Sequence, residues 1–120
     1  KFRLAETYLL LAEAYLRQDM PDKAADAVNE VRRRAKVSDV SDEEMTMDFL
    51  LDERIRELYG EESRRFTLIR TGKLLERVRK YNPEARDLIQ DFHVLWPIPQ
   101  AIRDANVGNF PQNPGYEGYE

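Results

Sequence analysis

The fold is set by residues 4–35, which read LAETYLLLAEAYLRQDMPDKAADAVNEVRRRA. Apolar side chains recur at steps of 4, 3 and 4 in both halves of this stretch, first at Leu4, Tyr8, Leu11 and Tyr15, then at Ala24, Val28, Val31 and Ala35. In the first half the stripe is wide, because further apolar residues lie beside it at Ala5, Leu9, Ala12 and Leu16. Such spacing is typical of amphipathic α-helices. Pro21 suits the first turn of the second helix, because its missing N–H would have no intrahelical partner there. The stretch predicts two antiparallel helices joined by a short turn, the second ending near Lys36.

The predicted hairpin also has the spacing of a tetratricopeptide unit, in which small side chains let two helices pack closely. Ala12 and Ala24 occupy the positions of close approach. A shift of about 34 residues does not reproduce the pattern, because Glu62 falls where Val28 would repeat. Any antiparallel hairpin has similar offsets, so a generic hairpin stays an alternative. The sequence predicts one repeat-like hairpin followed by a divergent helical pair.

Two later helices are predicted before Asn82-Pro83. Ser41-Asp42-Glu43-Glu44 has the spacing of a capping box, which predicts that a third helix begins there. Gly60 and Gly72 predict breaks in the helical pattern that follows. The apolar sides of these helices are predicted at Met47, Leu51, Ile55 and Leu58, and at Phe66, Ile69, Leu74, Val78 and Tyr81.

The chain changes character at Phe92–Pro99, FHVLWPIP, which is rich in aromatic and β-branched residues. Its two prolines predict an extended segment that docks on the helices, with Trp96 in the core. Turn-forming residues dominate the tail from Asn109. We therefore expect a single helical domain over 1–120, with the hairpin at 1–36, the second helical pair at 41–81, and the extended segment and tail at 92–120.

Composition restricts the function. The 120 residues and 14.2 kDa correspond to one modest domain. A net charge of −4 argues against a broad nucleic-acid-binding surface. The absence of cysteine excludes disulfides, cysteine-ligated zinc and thiol catalysis. The longest apolar-rich stretch, Tyr8 to Tyr15, is too short to cross a membrane. The chain starts inside a predicted helix and without Met, so we expect it to be a fragment.

Candidate catalytic residues are few. His93 is the only histidine and lies in an apolar run, which predicts a structural ring bonded by a backbone group. The carboxylate pairs Glu43/Glu44 and Glu61/Glu62 flank predicted helix starts, where the helix dipole stabilises negative charge. The five glycines form no phosphate-binding loop. We expect no enzymatic activity and no cofactor, and the sequence identifies no catalytic, cofactor-binding, metal-binding or ligand-binding residue.

Charged and aromatic residues have structural interpretations as well as functional ones. The runs Arg32-Arg33-Arg34 and Arg64-Arg65 are predicted to be solvated or ion-paired. A buried ion network that fixes helix register is predicted for Glu53, Arg54, Glu57, Arg64 and Arg70. Sugar rings could stack on Trp96, Tyr116 or Tyr119, and a tail tyrosine is the better platform if Trp96 is in the core.

Five segments, taken together and in this order, form a distinctive sequence pattern. They are Arg3 to Ala35, Glu53-Arg54-x2-Glu57-Leu58, Arg64-x-Phe66-x-Leu68-Ile69-Arg70-Thr71-Gly72-Lys73, Leu95-Trp96-Pro97-Ile98-Pro99, and Gln112-Asn113-Pro114-Gly115-Tyr116. Together they cover almost the whole chain. The combination closely resembles the C-terminal region of the SusD/RagB family, the surface glycan-binding lipoproteins of Bacteroidetes. The resemblance implies an all-α, SusD-like fold of tetratricopeptide-like antiparallel hairpins, with an irregular Pro/Gly-rich C-terminal segment.

The resemblance also implies a function. It implies non-enzymatic capture of oligosaccharides at the outer membrane, on the cell surface, and their delivery to a SusC-like TonB-dependent transporter. A lipid anchor would lie outside these residues, and this fragment would mainly be the helical scaffold. Two alternatives stay open: a soluble tetratricopeptide adaptor that binds a peptide of a partner protein, and a glycoside hydrolase with two carboxylates at ~5–10 Å.

The chain departs from the family pattern at two positions. Glu62 stands where the family usually has Gly, and the loss of a residue that readily adopts positive φ predicts a different turn between the third and fourth helices. Thr67 stands where the family usually has Asp. This change removes one possible partner of Arg64 or Arg70.

Overall fold

The computed structural model describes residues 3–118, and this part of the chain is all-α, as the sequence predicts. Its helices are α1 (Leu4–Leu16), α2 (Pro21–Arg34), α3 (Met47–Glu57), α4 (Arg64–Arg70), α5 (Leu74–Tyr81), a 3₁₀ helix (Asp91–Val94) and α6 (Gln100–Asp104). No β-strand forms within residues 3–118. The chain divides into two compact units, residues 1–62 and residues 63–120.

The first unit is built on the predicted hairpin of α1 and α2. Ala12 and Ala24 are both fully buried, which confirms that small side chains occupy the close approach. Leu9 and Val28 are likewise fully buried and extend this core along the two helices. Ala5 of the predicted apolar stripe of α1 is also buried, whereas Leu4 keeps 69% of its surface exposed.

The connection from α2 to α3 is held by a buried asparagine. Asn29 accepts the N–H of Val40 at 2.8 Å and donates to its carbonyl at 3.0 Å, so one side chain satisfies both backbone groups of a buried loop residue. Met45 then enters the same core. This loop therefore belongs to the packed part of the unit.

The third helix begins later than predicted. The bonds of the capping box do form, since the backbone N–H groups of Ser41 and Glu44 each donate to the other residue's side chain at 3.3 Å, but they close only a turn. α3 starts at Met47, capped by Thr46, whose hydroxyl accepts the N–H of Phe49 at 3.1 Å. The chain first buries Met45 and is extended at Thr46, which ends the turn before a helix can grow from it.

The apolar side of α3 is only partly the predicted one. Leu51 and Leu58 are buried as expected, whereas Ile55 is 42% exposed and the charged residues Glu53 and Arg54 are buried. The turn after α3 has its left-handed residue at Gly60, with φ +74°. Glu62 does not adopt positive φ, so this turn does not require glycine there.

The second unit starts with α4 and α5, which Gly72 separates at φ +71° as predicted. Leu74 is buried as expected, and Leu68 of α4 is buried as well. The predicted apolar positions Phe66 and Tyr81 are instead 64% and 55% exposed.

Residues 91–118 complete the second unit. The prediction of an extended segment over Phe92–Pro99 is wrong for its first part, which is the 3₁₀ helix. A reciprocal capping box between Gln90 and His93 caps the start of that helix, and the backbone is extended at Leu95, where the helix ends. The placement of Trp96 in the core is also wrong, because its side chain is 58% exposed.

Candidate functional site

An open groove of about 490 Å³ lies within the second unit. α4 supplies Arg65, α5 supplies Val78, the 3₁₀ helix supplies His93, and the segment after it supplies Trp96. The remaining lining residues are Asn82, Ala85, Leu88, Ile89, Pro97 and Tyr116. The groove is thus an apolar depression with a few polar groups and two aromatic side chains.

Trp96 lies beside an arginine and not inside a core. The guanidinium carbon of Arg65 is 4.3 Å from the centre of the indole ring, a cation–π contact. The Nη2 of Arg65 donates to the carbonyl of His93, and its Nε is a buried donor without a partner among the described residues. Arg65 therefore serves as a stacking partner of Trp96, not as the solvated or ion-paired group that the sequence predicts.

The backbone around Trp96 is fixed by the residues of the QNPGY motif, Gln112–Tyr116. The side-chain amide of Gln112, which is buried, accepts the N–H of Ile98 at 2.7 Å and donates to its carbonyl at 2.9 Å. Asn113 donates from Nδ2 to the carbonyl of Trp96 at 2.7 Å. The two motifs that the sequence presents separately are therefore one hydrogen-bonded structure.

Tyr116 and Gly115 of the same motif contact the residues that precede Trp96. Tyr116 donates its hydroxyl to the carbonyl of Leu95 at 2.9 Å, and its ring packs edge-on against Phe92 with centroids 4.9 Å apart. Gly115 adopts φ +85°, and a Cβ there would lie 2.2 Å from Cγ of Phe92. Tyr116 is thus a half-buried support and a poor platform. Tyr119, the other predicted platform, lies outside the described residues.

His93 has the structural role that the sequence predicts. Its Nδ1 accepts the backbone N–H of Gln90 at 2.7 Å, which makes the ring part of the 3₁₀ cap. A ring nitrogen that accepts a hydrogen bond carries no hydrogen, so the ring hydrogen of His93 lies on Nε2.

The predicted ion network exists in the first unit, with partly different members. Glu53 accepts from Arg32 at 2.8 Å, and buried Arg54 donates from Nε to Glu62 at 2.6 Å. Glu57 bonds Arg34 at 2.6 Å. The expected cations Arg64 and Arg70 lie in the second unit, whereas α2 supplies Arg32 for Glu53 and Arg34 for Glu57.

The remaining charged candidates are occupied by structural contacts. Glu44 serves the turn at Ser41, and Glu61 binds Arg3 at 2.7 Å, a hydrogen bond that raises the pKa of Arg3 above its ordinary value. Arg33 of the basic run bonds Asp39 at 2.6 Å, which likewise raises the pKa of Arg33. The run at 32–34 is ion-paired, as predicted. Glu61 and Glu62 each form an ion pair with an arginine. The sequence predicts instead that both stabilise the start of a helix.

A second cavity, of about 420 Å³, lies on the α1–α2 hairpin and is lined by Arg3, Leu4, Ala5, Tyr8, Glu30, Val31 and Arg34. Its two cations are both bound to Glu57, at 3.1 Å from Arg3 and 2.6 Å from Arg34. Those charges are already neutralised within the protein. The groove of the second unit, with its exposed indole, is therefore the stronger candidate.

Two features are absent from residues 3–118. No helix there has the length and apolarity to cross a membrane. No group of three or more His, Asp or Glu side chains in that range is placed to hold a metal ion.

The comparison with protein families gives a match over nearly the whole chain. The model of the SusD family matches residues 1–116. Comparison with solved structures gives no significant match.

Curated relatives agree with the family match. The chain is 37% identical over 109 residues to SusD-like protein P25 of Formosa agariphila and 32% identical over 108 residues to SusD-like protein P38 of the same organism. It is 35% identical over 125 residues to the starch-binding protein SusD of Bacteroides thetaiotaomicron. These alignments cover 82%, 81% and 97% of the chain, respectively. They span only about a fifth of the length of each relative, between 20% and 21%.

Proposed function

The chain belongs to the SusD family, and from this we propose that it is the C-terminal part of a longer protein that binds oligosaccharides at the bacterial cell surface without hydrolysing them. The observation that carries the proposal is the family match over residues 1–116. Similarity to a protein described as starch-binding supports glycans as the ligand class. The relatives' greater length supports the further proposal that this chain is one segment of the working protein.

Within that protein, residues 1–62 are proposed to act as scaffold. Their hairpin core and their ion pairs between α2 and α3 give a rigid helical body. Delivery to a SusC-like TonB-dependent transporter and attachment to the outer membrane through a lipid complete the proposal. These two steps are assigned to the longer protein, not to particular residues of this chain.

The test is glycan binding by the longer protein encoded with this chain. We expect native electrophoresis to show slower migration in gels containing a bound polysaccharide, starch first, than in gels without polysaccharide. Chromatography of the incubated oligosaccharides should show no shorter products. Membrane fractionation should place the protein in the outer membrane, and affinity purification should recover a TonB-dependent transporter with it.

Three results would overturn the proposal in different parts. Shortened oligosaccharides would show an enzyme. Failure to bind any polysaccharide in a broad panel would contradict glycans as the ligand class. Recovery in the cytosol with a peptide-bearing partner would favour the tetratricopeptide adaptor.

A further inference from the structure

Trp96 presents an aromatic face on a fixed stretch of backbone. Its side chain is 58% exposed, and Arg65 is stacked against the ring at 4.3 Å. Its carbonyl is held by Asn113, and the next residue but one, Ile98, is held at both backbone groups by Gln112. A binding surface that is ordered before the ligand arrives loses little conformational freedom when the ligand binds.

The groove beside the ring combines an apolar floor with polar groups at its edge. Leu88, 71% exposed, Ile89 and Pro97 provide apolar surface next to the indole. Asn82 contributes an amide whose Oδ1 accepts the N–H groups of Glu84 and Ala85, both at 3.1 Å. Its Nδ2 is therefore the donor that this side chain can offer to a ligand.

This combination fits a sugar ring better than the other ligands that stack on aromatic side chains. A pyranose has an apolar face of C–H groups and a rim of hydroxyls, which match an indole face and a few edge donors. A single-stranded nucleic acid would also stack on Trp96, but it needs a basic groove that follows its backbone. Among the residues that line this groove, Arg65 is the one cation, and it is engaged with the carbonyl of His93 and the indole of Trp96.

We propose that the groove beside Trp96 is a stacking subsite for one hexopyranose ring of a neutral oligosaccharide. The subsite rests on the proposed function and gives it a location. The apolar face of the ring lies on the indole, and hydroxyls reach the amide of Asn82. Because stacking reads the face of a ring and not its linkage, α-linked and β-linked glucans both test it.

Trp96 is the only tryptophan of the chain, so its fluorescence reports this groove directly. We would titrate the 120-residue chain with maltoheptaose and with cellopentaose, and follow tryptophan emission together with calorimetric binding. At least one glucan is expected to change the emission saturably and to protect Trp96 from acrylamide quenching. The midpoint should equal the calorimetric Kd.

Variants separate stacking from folding. Trp96→Ala should weaken calorimetric binding by about tenfold or more, and Trp96→Tyr, which keeps a ring, should restore most of it. Tyr59→Ala removes an aromatic side chain that is 84% exposed in the first unit, and it should bind as the unchanged chain does. Far-UV circular dichroism and a thermal melt check each fold. Should Trp96→Ala fail to fold, Leu88→Glu fills the exposed edge of the groove, leaves the fluorophore in place and should abolish the emission change.

Each outcome decides something. Calorimetric binding with unchanged emission, and equal affinity in Trp96→Ala, would overturn the subsite and leave glycan binding intact. If the longer protein binds either glucan and the 120-residue chain does not, the subsite is likewise overturned while glycan binding by the longer protein stands. If neither the chain nor the longer protein binds any polysaccharide, the subsite and the proposed function fail together.

Discussion

Arg54 and Glu62 form a buried ion pair in the first unit, with Nε of Arg54 2.6 Å from Oε1 of Glu62 and side chains that are 2% and 6% exposed. Glu62 is the position at which the family pattern usually has glycine. Compared with glycine, Glu62 therefore adds an anion beside the buried cation Arg54. Removing one member of such a pair leaves an uncompensated charge inside the protein.

Glu62→Ala should therefore destabilise the chain by about 3–5 kcal/mol, measured as the free energy of unfolding in urea by far-UV circular dichroism. Arg33→Ala, which breaks an exposed pair with Asp39, is the control and should change the value by about 1 kcal/mol or less. An equal effect of the two variants would show that burial does not strengthen the Arg54 pair.

Gln112→Ala should destabilise the second unit by about 2–3 kcal/mol, because it removes two hydrogen bonds and leaves both partly buried backbone groups of Ile98 without their partner. Tryptophan emission during urea unfolding follows that unit, since Trp96 belongs to it. Gln100→Ala, at an exposed glutamine bonded to Asp104, should stay within about 0.5 kcal/mol. A negligible effect of Gln112→Ala would contradict the pairing of the two motifs.

Gly115→Ala and Gly72→Ala separate backbone strain from steric collision. Both glycines have positive φ, where alanine is disfavoured by about 1–2 kcal/mol. Only Gly115 faces an obstacle, since its Cβ would lie 2.2 Å from Phe92, whereas nothing lies within 4 Å at Gly72. We expect the Gly115 variant to lose about 1–3 kcal/mol more than the Gly72 variant in urea unfolding. Equal losses would mean that Phe92 moves aside freely.

Trp96→Ala should destabilise the chain by only about 1–2 kcal/mol, the value of a partly exposed ring with one cation–π contact. Leu9→Ala, at a fully buried side chain of α1, should cost about 2–5 kcal/mol in the same circular dichroism experiment. A loss at Trp96 as large as that at Leu9 would show that the indole is core after all.

Thr46→Ala should destabilise the chain by about 1 kcal/mol, because Thr46 is the residue that caps α3. Ser41→Ala removes the other candidate cap, which closes only a turn, and should have a smaller effect. The reverse order would indicate that the helix starts at the capping box. Urea unfolding of both variants gives the comparison.

The sequence predicts best where local spacing alone decides the structure. The hairpin of α1 and α2 follows from the periodicity of residues 4–35, and Ala12 and Ala24 could be placed because close helix packing demands small side chains. Of the two residues that could cap the third helix, Ser41 has the stronger local pattern, because Glu44 follows it at the spacing of a capping box and Phe49 follows Thr46. Only the burial of Met45, a tertiary effect, decides between them.

The candidate site was predictable only in part, because its contacts join distant segments. A tryptophan between apolar residues predicts a core position, and nothing local shows that Arg65 provides a cation for its ring. The prolines around Trp96 correctly indicate extended backbone. The hydrogen bonds between Gln112 and Ile98, which are 14 residues apart, cannot be predicted from spacing. Neither segment has a periodic pattern that identifies the other as its partner.

The double hydrogen bond of Gln112 to Ile98 also bears on how the protein avoids aggregation. Extended segments rich in aromatic and β-branched residues offer rows of unpaired backbone groups, to which a strand of another molecule can add. Here the two prolines lack N–H groups, and the glutamine amide occupies both groups of the residue between them. The segment can therefore lie at the surface, with its indole exposed, and offer few open backbone groups to an added strand.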